Sequence, residues 1–262
     1  MKHKVIVFGL DGVRLDTLRA AATPHLDAIA AAGFLTACRV PEVNATISGP
    51  CWATIATGVC SDEHRITGNN LRFNRLRRFP CFLRQAAAHG ATTYAAAGWL
   101  PLLTRTHGGP IFAADHQYVP PRPRNSKNGG DAISDADVAA CASKTIASDD
   151  IDAAFVYFGQ VDHAGHEHGV DAAYTRALVN ADACVGEVVA AVSSRATFGE
   201  ESWTFIAVTD HGHRDAGGHG GDSTAERTAW LAAGGPGVAG VEPAGLGHVD
   251  VPRLVLGALG FV

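Results

Sequence analysis

The sequence predicts an α/β protein in which a mostly parallel central sheet carries helices on both faces. Short apolar runs rich in valine, isoleucine and phenylalanine recur along the 262 residues, and alanine-rich segments of helical length separate them. Strands that alternate with helices form parallel sheets covered on both faces. Hydrophobic residues make up 47% of the chain and charged residues 18%. This composition is typical of a globular chain that can bury a full core.

The elements of the first half follow from apolar runs and from the glycines and prolines that interrupt them. Threonine before proline, for example, is a typical start of a helix. In chain order we expect a strand over Lys4–Leu10, a helix from Thr23-Pro24 to Gly33, an extended segment over 34–43, a turn over 44–50, a helix over 51–56 that ends at Thr57-Gly58, a helix over 79–89 and a strand over 92–97.

The second half begins with a stretch of little periodicity. Residues 107–131 are rich in glycine, proline, asparagine and arginine, which predicts a long loop or a small cap over a site. We expect one domain over residues 1–262, with a loop or cap region at about 70–131. The remaining elements are a helix over 134–147, a strand over 151–158, a helix over 172–192, a strand over 202–208 and a final helix over 249–259.

Composition also narrows the class of partner and the compartment. The formal net charge is −5 and no long basic run is present, which argues against a nucleic-acid polymer as partner. Six cysteines without a CxxC pair indicate reduced thiols. The segment before the first strand is too short for a signal peptide, and no apolar run reaches the roughly 20 residues that span a bilayer. We therefore expect a cytoplasmic protein with no membrane partner that acts on small molecules, and its oligomeric state stays open.

Acidic residues and histidines follow three of the predicted strands. Carboxyl ends of parallel strands meet at one edge of a sheet, where ligands and catalytic groups collect. Histidine together with carboxylate is the ligand set of zinc or manganese. Six ligands are too many for one four-coordinate ion and suit two. The six are Asp11, Asp162, His166, Asp210, His211 and His219.

A hydroxyl nucleophile is available in the predicted turn over 44–50, before the helix over 51–56. Thr46 and Ser48 both lie there, where a helix N-terminus favours a phosphoryl group. Two ions a few ångströms apart suit in-line displacement at phosphorus, and an ion lowers the pKa of a nearby hydroxyl. The residues alone leave the choice between Thr46 and Ser48 open.

The chain resembles the alkaline phosphatase superfamily, in the branch of the nucleotide pyrophosphatases/phosphodiesterases. The resemblance rests on motifs that occur in the order of that family. They are Phe8-Gly-Leu-Asp-Gly12, Thr23-Pro-His-Leu-Asp27, Ser48-Gly-Pro-Cys-Trp-Ala-Thr-Ile-Ala-Thr-Gly58, Asp162-His-Ala-Gly-His166, Thr209-Asp-His-Gly212 and Gly217-Gly-His-Gly220.

The resemblance implies how the ligands divide between two divalent metal ions. Zinc is the implied metal, and manganese is the alternative. One ion would be held by Asp162, His166 and His219. The other would be held by Asp11, Asp210 and His211, with the oxygen of Ser48 touching it.

The resemblance also implies the residues that act on the substrate. Its nucleophile stands nine residues before the threonine of a Thr-Gly pair, here Thr57, and this spacing selects Ser48. An asparagine that binds a phosphate oxygen together with the amide of the nucleophile falls at Asn69, with Asn70 as a close competitor.

Departures from the family pattern narrow the predicted activity. Sulfatases of the superfamily require an arginine where this chain has Trp52, and His219 follows Asp210 by only nine residues, as in compact phosphomutases. We expect a two-metal-dependent hydrolase of phosphate esters with a serine nucleophile, a phosphodiesterase or nucleotide pyrophosphatase. The alternatives are a phosphomonoesterase that acts on a small phosphorylated metabolite and a metal-dependent phosphomutase.

Four further histidines are not assigned to the metals. His163, His168 and His213 flank the ligands, and we expect them in solvent or in contact with a ligand rather than bound to an ion. His248, near the C-terminus, has no predicted role.

Overall fold

One sheet of seven strands organises residues 1–121 and 135–262, the part of the chain that the computed structural model describes. Its order across the sheet is β2-β7-β6-β1-β5-β3-β4. The strand β7 pairs antiparallel with β2 and with β6, and the other described pairs are parallel. In chain order the strands are β1 (Lys2–Leu10), β2 (Gly33–Arg39), β3 (Thr93–Ala96), β4 (His116–Tyr118), β5 (Ala153–Phe158), β6 (Glu201–Thr209) and β7 (Thr228–Gly234).

Helices cover both faces of this sheet. In chain order they are α1 (Leu15–Ala20), α2 (Pro24–Ala31), α3 (Ser48–Thr57), α4 (Ser61–His64), α5 (Phe82–Ala88), α6 (Leu100–Leu103), α7 (Asp135–Ser148), α8 (Gln160–His168), α9 (Ala172–Ser193), α10 (Thr224–Arg227) and α11 (Val251–Ala258). Short 3-10 turns occur at Thr106–Gly108, Phe198–Glu200, Pro236–Val238 and His248–Asp250. No helix in the described ranges is both long and apolar enough to cross a membrane.

The two faces of the sheet carry separate hydrophobic cores. Successive side chains of a strand point to opposite faces, and β1 follows this rule. Val5 and Val7 pack into the core shared with α3, α5 and α11. Ile6 and Phe8 pack into the core shared with α2, α7 and α9. Because both faces are covered, the central strands are apolar throughout rather than alternating, as the sequence predicts.

The predicted fold class is confirmed, and several boundaries move. The third helix begins at Ser48 rather than at residue 51, because proline is tolerated in a first turn. The fifth begins at Phe82 rather than 79, after Pro80. The prediction missed α1 and the antiparallel β7. It also treated residues 107–131 as loop, whereas His116–Tyr118 pairs with β3 as an edge strand, and residues 122–131 lie outside the described part.

The topology places three acidic tips side by side. Strands β6, β1 and β5 are neighbours and parallel, so their carboxyl ends meet at one edge. Asp11 follows β1 directly, Asp210 follows β6 directly, and Asp162 lies in the first turn of α8, which begins two residues after β5. The sheet therefore brings residues far apart in the chain to one site.

Candidate active site

Asp11, Asp210 and His211, here called the second cluster, are buried at this edge. The Nε2 atom of His211 lies 3.2 Å from Asp210 Oδ2 and 3.7 Å from Asp11 Oδ1. Those two carboxylate oxygens have no hydrogen-bonding partner among the described residues. A buried carboxylate oxygen without a donor is costly unless a cation lies beside it.

The other oxygen of each of these two carboxylates accepts two hydrogen bonds. Asp11 Oδ2 accepts hydrogen bonds from Trp52 Nε1 at 2.8 Å and from the Tyr157 hydroxyl at 2.7 Å. Asp210 Oδ1 accepts from the backbone amides of Gly12 and His211, both at 3.0 Å. These donors fix the orientation of both carboxylates, and they leave the unpaired oxygens directed at His211. The sequence motifs do not predict that Trp52 and Tyr157 support Asp11.

Without a cation, burial disfavours the charged forms of the three side chains of the second cluster. Burial, with the nearby Asp162 carboxylate, raises the pKa of Asp11 to about 7. Burial and the neighbouring Asp11 raise the pKa of Asp210 well above its usual value. Burial lowers the pKa of His211 well below its usual value, so its imidazole is neutral. A bound divalent ion would favour the ionised carboxylates and the neutral imidazole, the forms that ligate metals.

Asp162, His166 and His219, here called the first cluster, lie beside the second. His219 Nε2 is 3.3 Å from Asp162 Oδ1, His166 Nε2 is 3.5 Å from Asp162 Oδ2, and the two Nε2 atoms are 2.9 Å apart. Ligands of one tetrahedral zinc are separated by about 3.3 Å. The i, i+4 spacing of Asp162 and His166 places both on one face of α8, as predicted.

Two imidazoles turn their Nε2 lone pairs toward these clusters. His211 Nδ1 lies 3.1 Å from the carbonyl of Gly212, and His219 Nδ1 lies 2.7 Å from the carbonyl of Thr46. Carbonyl oxygens only accept, so each Nδ1 donates its proton, and in the neutral imidazole, the form that ligates metals, each Nε2 is bare. The two rings stack with centroids 3.8 Å apart, which joins the clusters into one cage.

The donor set of this cage fits divalent metal ions. It combines unpaired buried carboxylate oxygens with imidazole lone pairs at ligand-like separations. Groups of His, Asp and Glu atoms within 4.8 Å of one another occur at Asp11, Asp210 and His211, and at Asp162, His211, His213 and His219. His166 lies at the solvent-facing side of the cage, with its side chain 49% exposed.

Ser48 is the hydroxyl that faces the second cluster. It is the first residue of α3, it is buried, and its Oγ lies 3.5 Å from His211 Nε2. Thr46 has another task, because its hydroxyl donates to Gly221 O at 2.8 Å and accepts from Gly220 N at 3.0 Å. Thr46 thus holds the loop of His219, which turns through Gly217, Gly218 and Gly220 at positive φ.

Asn69 lies beside Ser48, in a different arrangement from the one expected. Its Oδ1 accepts a hydrogen bond of 2.8 Å from the amide of Gly49, the residue after Ser48. Asn70, the alternative candidate, makes a contact within its own loop, where its Oδ1 accepts a hydrogen bond from Arg72 N at 3.2 Å. The Asn69 amide group is therefore anchored by its oxygen one residue from Ser48.

The unassigned histidines occupy different environments. His163 and His168 are partly exposed and lie near Glu167, at 3.3 and 3.7 Å. His213 is buried rather than solvated, and its Nε2 is 2.8 Å from Asp162 Oδ1. The buried His248 lies outside the cage, with its Nε2 2.9 Å from the carbonyl of Thr209.

Comparison with known proteins identifies relatives of this arrangement. The family model "Type I phosphodiesterase / nucleotide pyrophosphatase" matches residues 5–226. None of the curated protein sequences compared with the chain matches it.

Solved structures show the same fold at low sequence identity. Murine ectonucleotide pyrophosphatase / phosphodiesterase 5 is 22% identical, with a TM-score of 0.60 over 80% of this chain and 57% of that protein. An inactive form of that murine protein was solved in complex with AMP. A protein of the alkaline phosphatase superfamily from Vibrio parahaemolyticus is 14% identical, with a TM-score of 0.66 over 99% of this chain and 66% of its own. PH0037 from Pyrococcus horikoshii is 14% identical, with a TM-score of 0.63 over 100% of this chain and 98% of its own.

Proposed function

The chain belongs to the type I phosphodiesterase / nucleotide pyrophosphatase family, and from this premise we propose that it is a two-metal-dependent phosphodiesterase with Ser48 as its nucleophile. One observation carries the proposal. The Ser48 hydroxyl, at the N-terminus of α3, lies 3.5 Å from His211 Nε2 in a cluster whose carboxylates each have an unpaired oxygen. A nucleophile and a cation site are thus adjacent.

The two clusters are the proposed metal sites. The first would hold one ion through Asp162, His166 and His219, and the second would hold another through Asp11, Asp210 and His211, with Ser48 Oγ in contact. Zinc suits these nitrogen and oxygen donors, and manganese is the alternative. When bound, two such ions would supply Lewis-acid stabilisation of the phosphoryl oxygens and would lower the pKa of the serine hydroxyl.

The reaction proceeds in two displacements at phosphorus. Ser48 loses its proton to solvent, and its Oγ forms a bond to phosphorus while the bond to the leaving oxygen breaks. Water then attacks the phosphoserine ester, the bond from phosphorus to Oγ breaks, and the serine oxygen regains a proton. The N-terminal amides of α3 favour the negative charge of the phosphoryl group in both steps.

A nucleotide diester or pyrophosphate is the proposed substrate. The murine relative binds AMP, and the amide of Asn69, a neutral donor, suits a phosphoryl group with a single charge. We assign the cap for the leaving group to the region at about 70–131. Residues 64–114 contain seven arginines and no acidic residue, which favours an anionic substrate. We further propose a cytoplasmic location, since all six cysteines are free thiols.

Replacement of the nucleophile tests the proposal. Ser48→Ala should lower the hydrolysis of bis(p-nitrophenyl) phosphate by on the order of 10³-fold or more, since it removes the group that forms the covalent ester. Metal content, measured by mass spectrometry, should stay at two ions. The matched control is Thr46→Ser, which keeps the hydroxyl that holds the His219 loop and should retain activity.

The same assay separates the alternatives. A wild-type preference for p-nitrophenyl phosphate over the diester would replace the diesterase with a phosphomonoesterase. Transfer of phosphate within one substrate, without release of product, would instead identify a phosphomutase, which the short spacing from Asp210 to His219 favours. Full activity in Ser48→Ala would remove Ser48 from the mechanism.

A further inference from the structure

His213 occupies a space that two glycines keep open. Its ring is fully buried, with Nε2 2.8 Å from Asp162 Oδ1. A Cβ atom at Gly12, where φ is +69°, would come within 2.8 Å of that Nε2, and a Cβ at Gly165 would come within 2.7 Å of the ring carbon Cε1. Tyr174 packs edge-on against the ring. The ring is therefore built into the wall behind the first cluster.

The identity of its partner assigns the proton on His213. An ionised carboxylate only accepts hydrogen bonds, so the atom 2.8 Å from Asp162 Oδ1 is an N–H donor and Nε2 carries the proton. Nδ1 then has the lone pair, and it has no partner among the described residues. This arrangement is the reverse of His211 and His219, whose Nδ1 atoms donate to carbonyls. The nitrogen of His213 that faces the cage thus has no free lone pair for an ion.

We propose that His213 is a positioning residue: it holds the Asp162 carboxylate through an Nε2–H···Oδ1 hydrogen bond and thereby strengthens the affinity of the first cluster for its ion. Asp162 is the only acid of the first cluster, and its Oδ2 faces His166 at 3.5 Å. A donor on Oδ1 fixes the rotation of the carboxylate, which otherwise has to be ordered when an ion binds. The inference rests on the proposed metal binding.

Metal titration of three proteins tests it without reference to catalysis. Metal-depleted wild type, His213→Leu and His213→Gln are titrated with Zn²⁺ against a chromophoric chelator. Loss of an outer hydrogen bond to a ligand weakens affinity by about 10–100-fold, so His213→Leu should bind one ion as wild type does and the other that much more weakly. Glutamine places an N–H near the position of Nε2, and His213→Gln should restore the weakened affinity. His168→Leu, which removes a half-exposed imidazole from α8, the helix that carries Asp162, should leave both affinities unchanged.

Cobalt(II) distinguishes a positioning residue from a ligand. If His213 positions Asp162, cobalt-loaded His213→Gln absorbs at the wavelengths of the wild type, because the ligand atoms are unchanged. A shifted spectrum of His213→Gln, together with the loss of one equivalent of metal, would show that His213 is a ligand. Wild-type zinc affinity in His213→Leu would show that the imidazole only fills space. Either result overturns the inference. If His213→Leu does not fold, Gly165→Ala displaces the ring instead and should weaken the same site. A wild type that binds neither Zn²⁺ nor Co²⁺ would refute the proposed function itself.

Discussion

At the scale of the residue, the two oxygens of each carboxylate in the second cluster have different contacts: one accepts hydrogen bonds, and the other is unpaired. Asp11 gives Oδ2 to the donors Trp52 and Tyr157 and leaves Oδ1 unpaired. The donors come from α3 and β5, so the orientation of one side chain depends on two elements and on β1, which precedes it. Hydrogen bonds to a charged group contribute about 1.5–3 kcal/mol each, which is enough to fix the carboxylate before an ion arrives.

Removal of one hydrogen-bond donor to Asp11 should therefore lower the metal affinity of the second cluster. We expect Tyr157→Phe to lower its zinc affinity by about 10-fold, since the ring stays packed while the 2.7 Å hydrogen bond is lost. Competition titration of the metal-depleted protein measures the change. Tyr94→Phe is the matched control, because that buried hydroxyl contacts the thiol of Cys141 rather than the site. Equal zinc affinity in Tyr157→Phe and wild type would show that Trp52 alone orients the carboxylate.

The sequence predicted which acidic and histidine side chains come together in the cage better than it predicted the residues that support them. Asp162 and His166 could be placed together because helical spacing determines their relation, and three strand tips could be placed at one edge because parallel strands end together. Tyr157 and His213 could not be assigned, since their contacts join separate elements. Tyr157 gave one signal that was overlooked, a hydroxyl in the otherwise apolar run of β5.

At the scale of the element, the start of α3 is tied to the loop that follows α4. The Gly49 amide donates to Asn69 Oδ1, and a Cβ at Gly49 would come within 2.3 Å of the carbonyl of Gly68. Only glycine permits this approach, so the loop lies directly against the first turn of the helix. The contact places a side-chain amide beside Ser48 that propensity and periodicity do not predict, because it depends on the path of a loop.

Substitution of this asparagine tests whether its NH₂ group serves the substrate. Loss of a donor to the reacting phosphoryl group costs on the order of 10²-fold in rate, and we expect that loss in the diester kcat/KM of Asn69→Ala with unchanged metal content. Asn69→Asp keeps the acceptor for Gly49 and removes the donor, so it should be equally impaired. Asn70→Ala, in the adjacent position, should resemble wild type. An active Asn69→Asp would show that Asn69 only supports the loop.

At the same scale, the antiparallel strand β7 is an element that the sequence did not predict. Its residues, Thr228–Gly234, form a short apolar run bounded by Gly235-Pro236, which is compatible with a strand or a buried helix segment. Its pairing with β6 on one side and β2 on the other depends on contacts distant in the chain. The fold class did not depend on this strand, because the alternation of the other elements determines the parallel part of the sheet.

At the scale of the whole molecule, His248 ties the C-terminal segment to the central sheet. Its Nε2 donates to the carbonyl of Thr209, the last residue of β6, 39 positions earlier. The bond joins the segment that leads into α11 to the strand end that carries Asp210. Its Nδ1 is buried without a partner in the described part of the chain, so protonation there would add an unpaired N–H and a charge to the interior. Burial accordingly lowers the pKa of His248 from 6.5 to about 4.

This lowered pKa makes stability depend on pH in a predictable direction. A histidine whose pKa is lower in the folded state stabilises the fold above pH 6.5, and that contribution is lost as the pH falls toward 4. Between pH 7 and pH 4.5 we expect the free energy of unfolding of the wild type to fall by about 2 kcal/mol more than that of His248→Gln. Glutamine keeps a donor for Thr209 and does not titrate. Urea unfolding in the presence of a chelator measures the difference without interference from metal release, and the exposed His116→Gln serves as the control. Parallel pH profiles of wild type and His248→Gln would mean that the fold tolerates a charged imidazole at this position, and that the acid sensitivity of the molecule arises elsewhere.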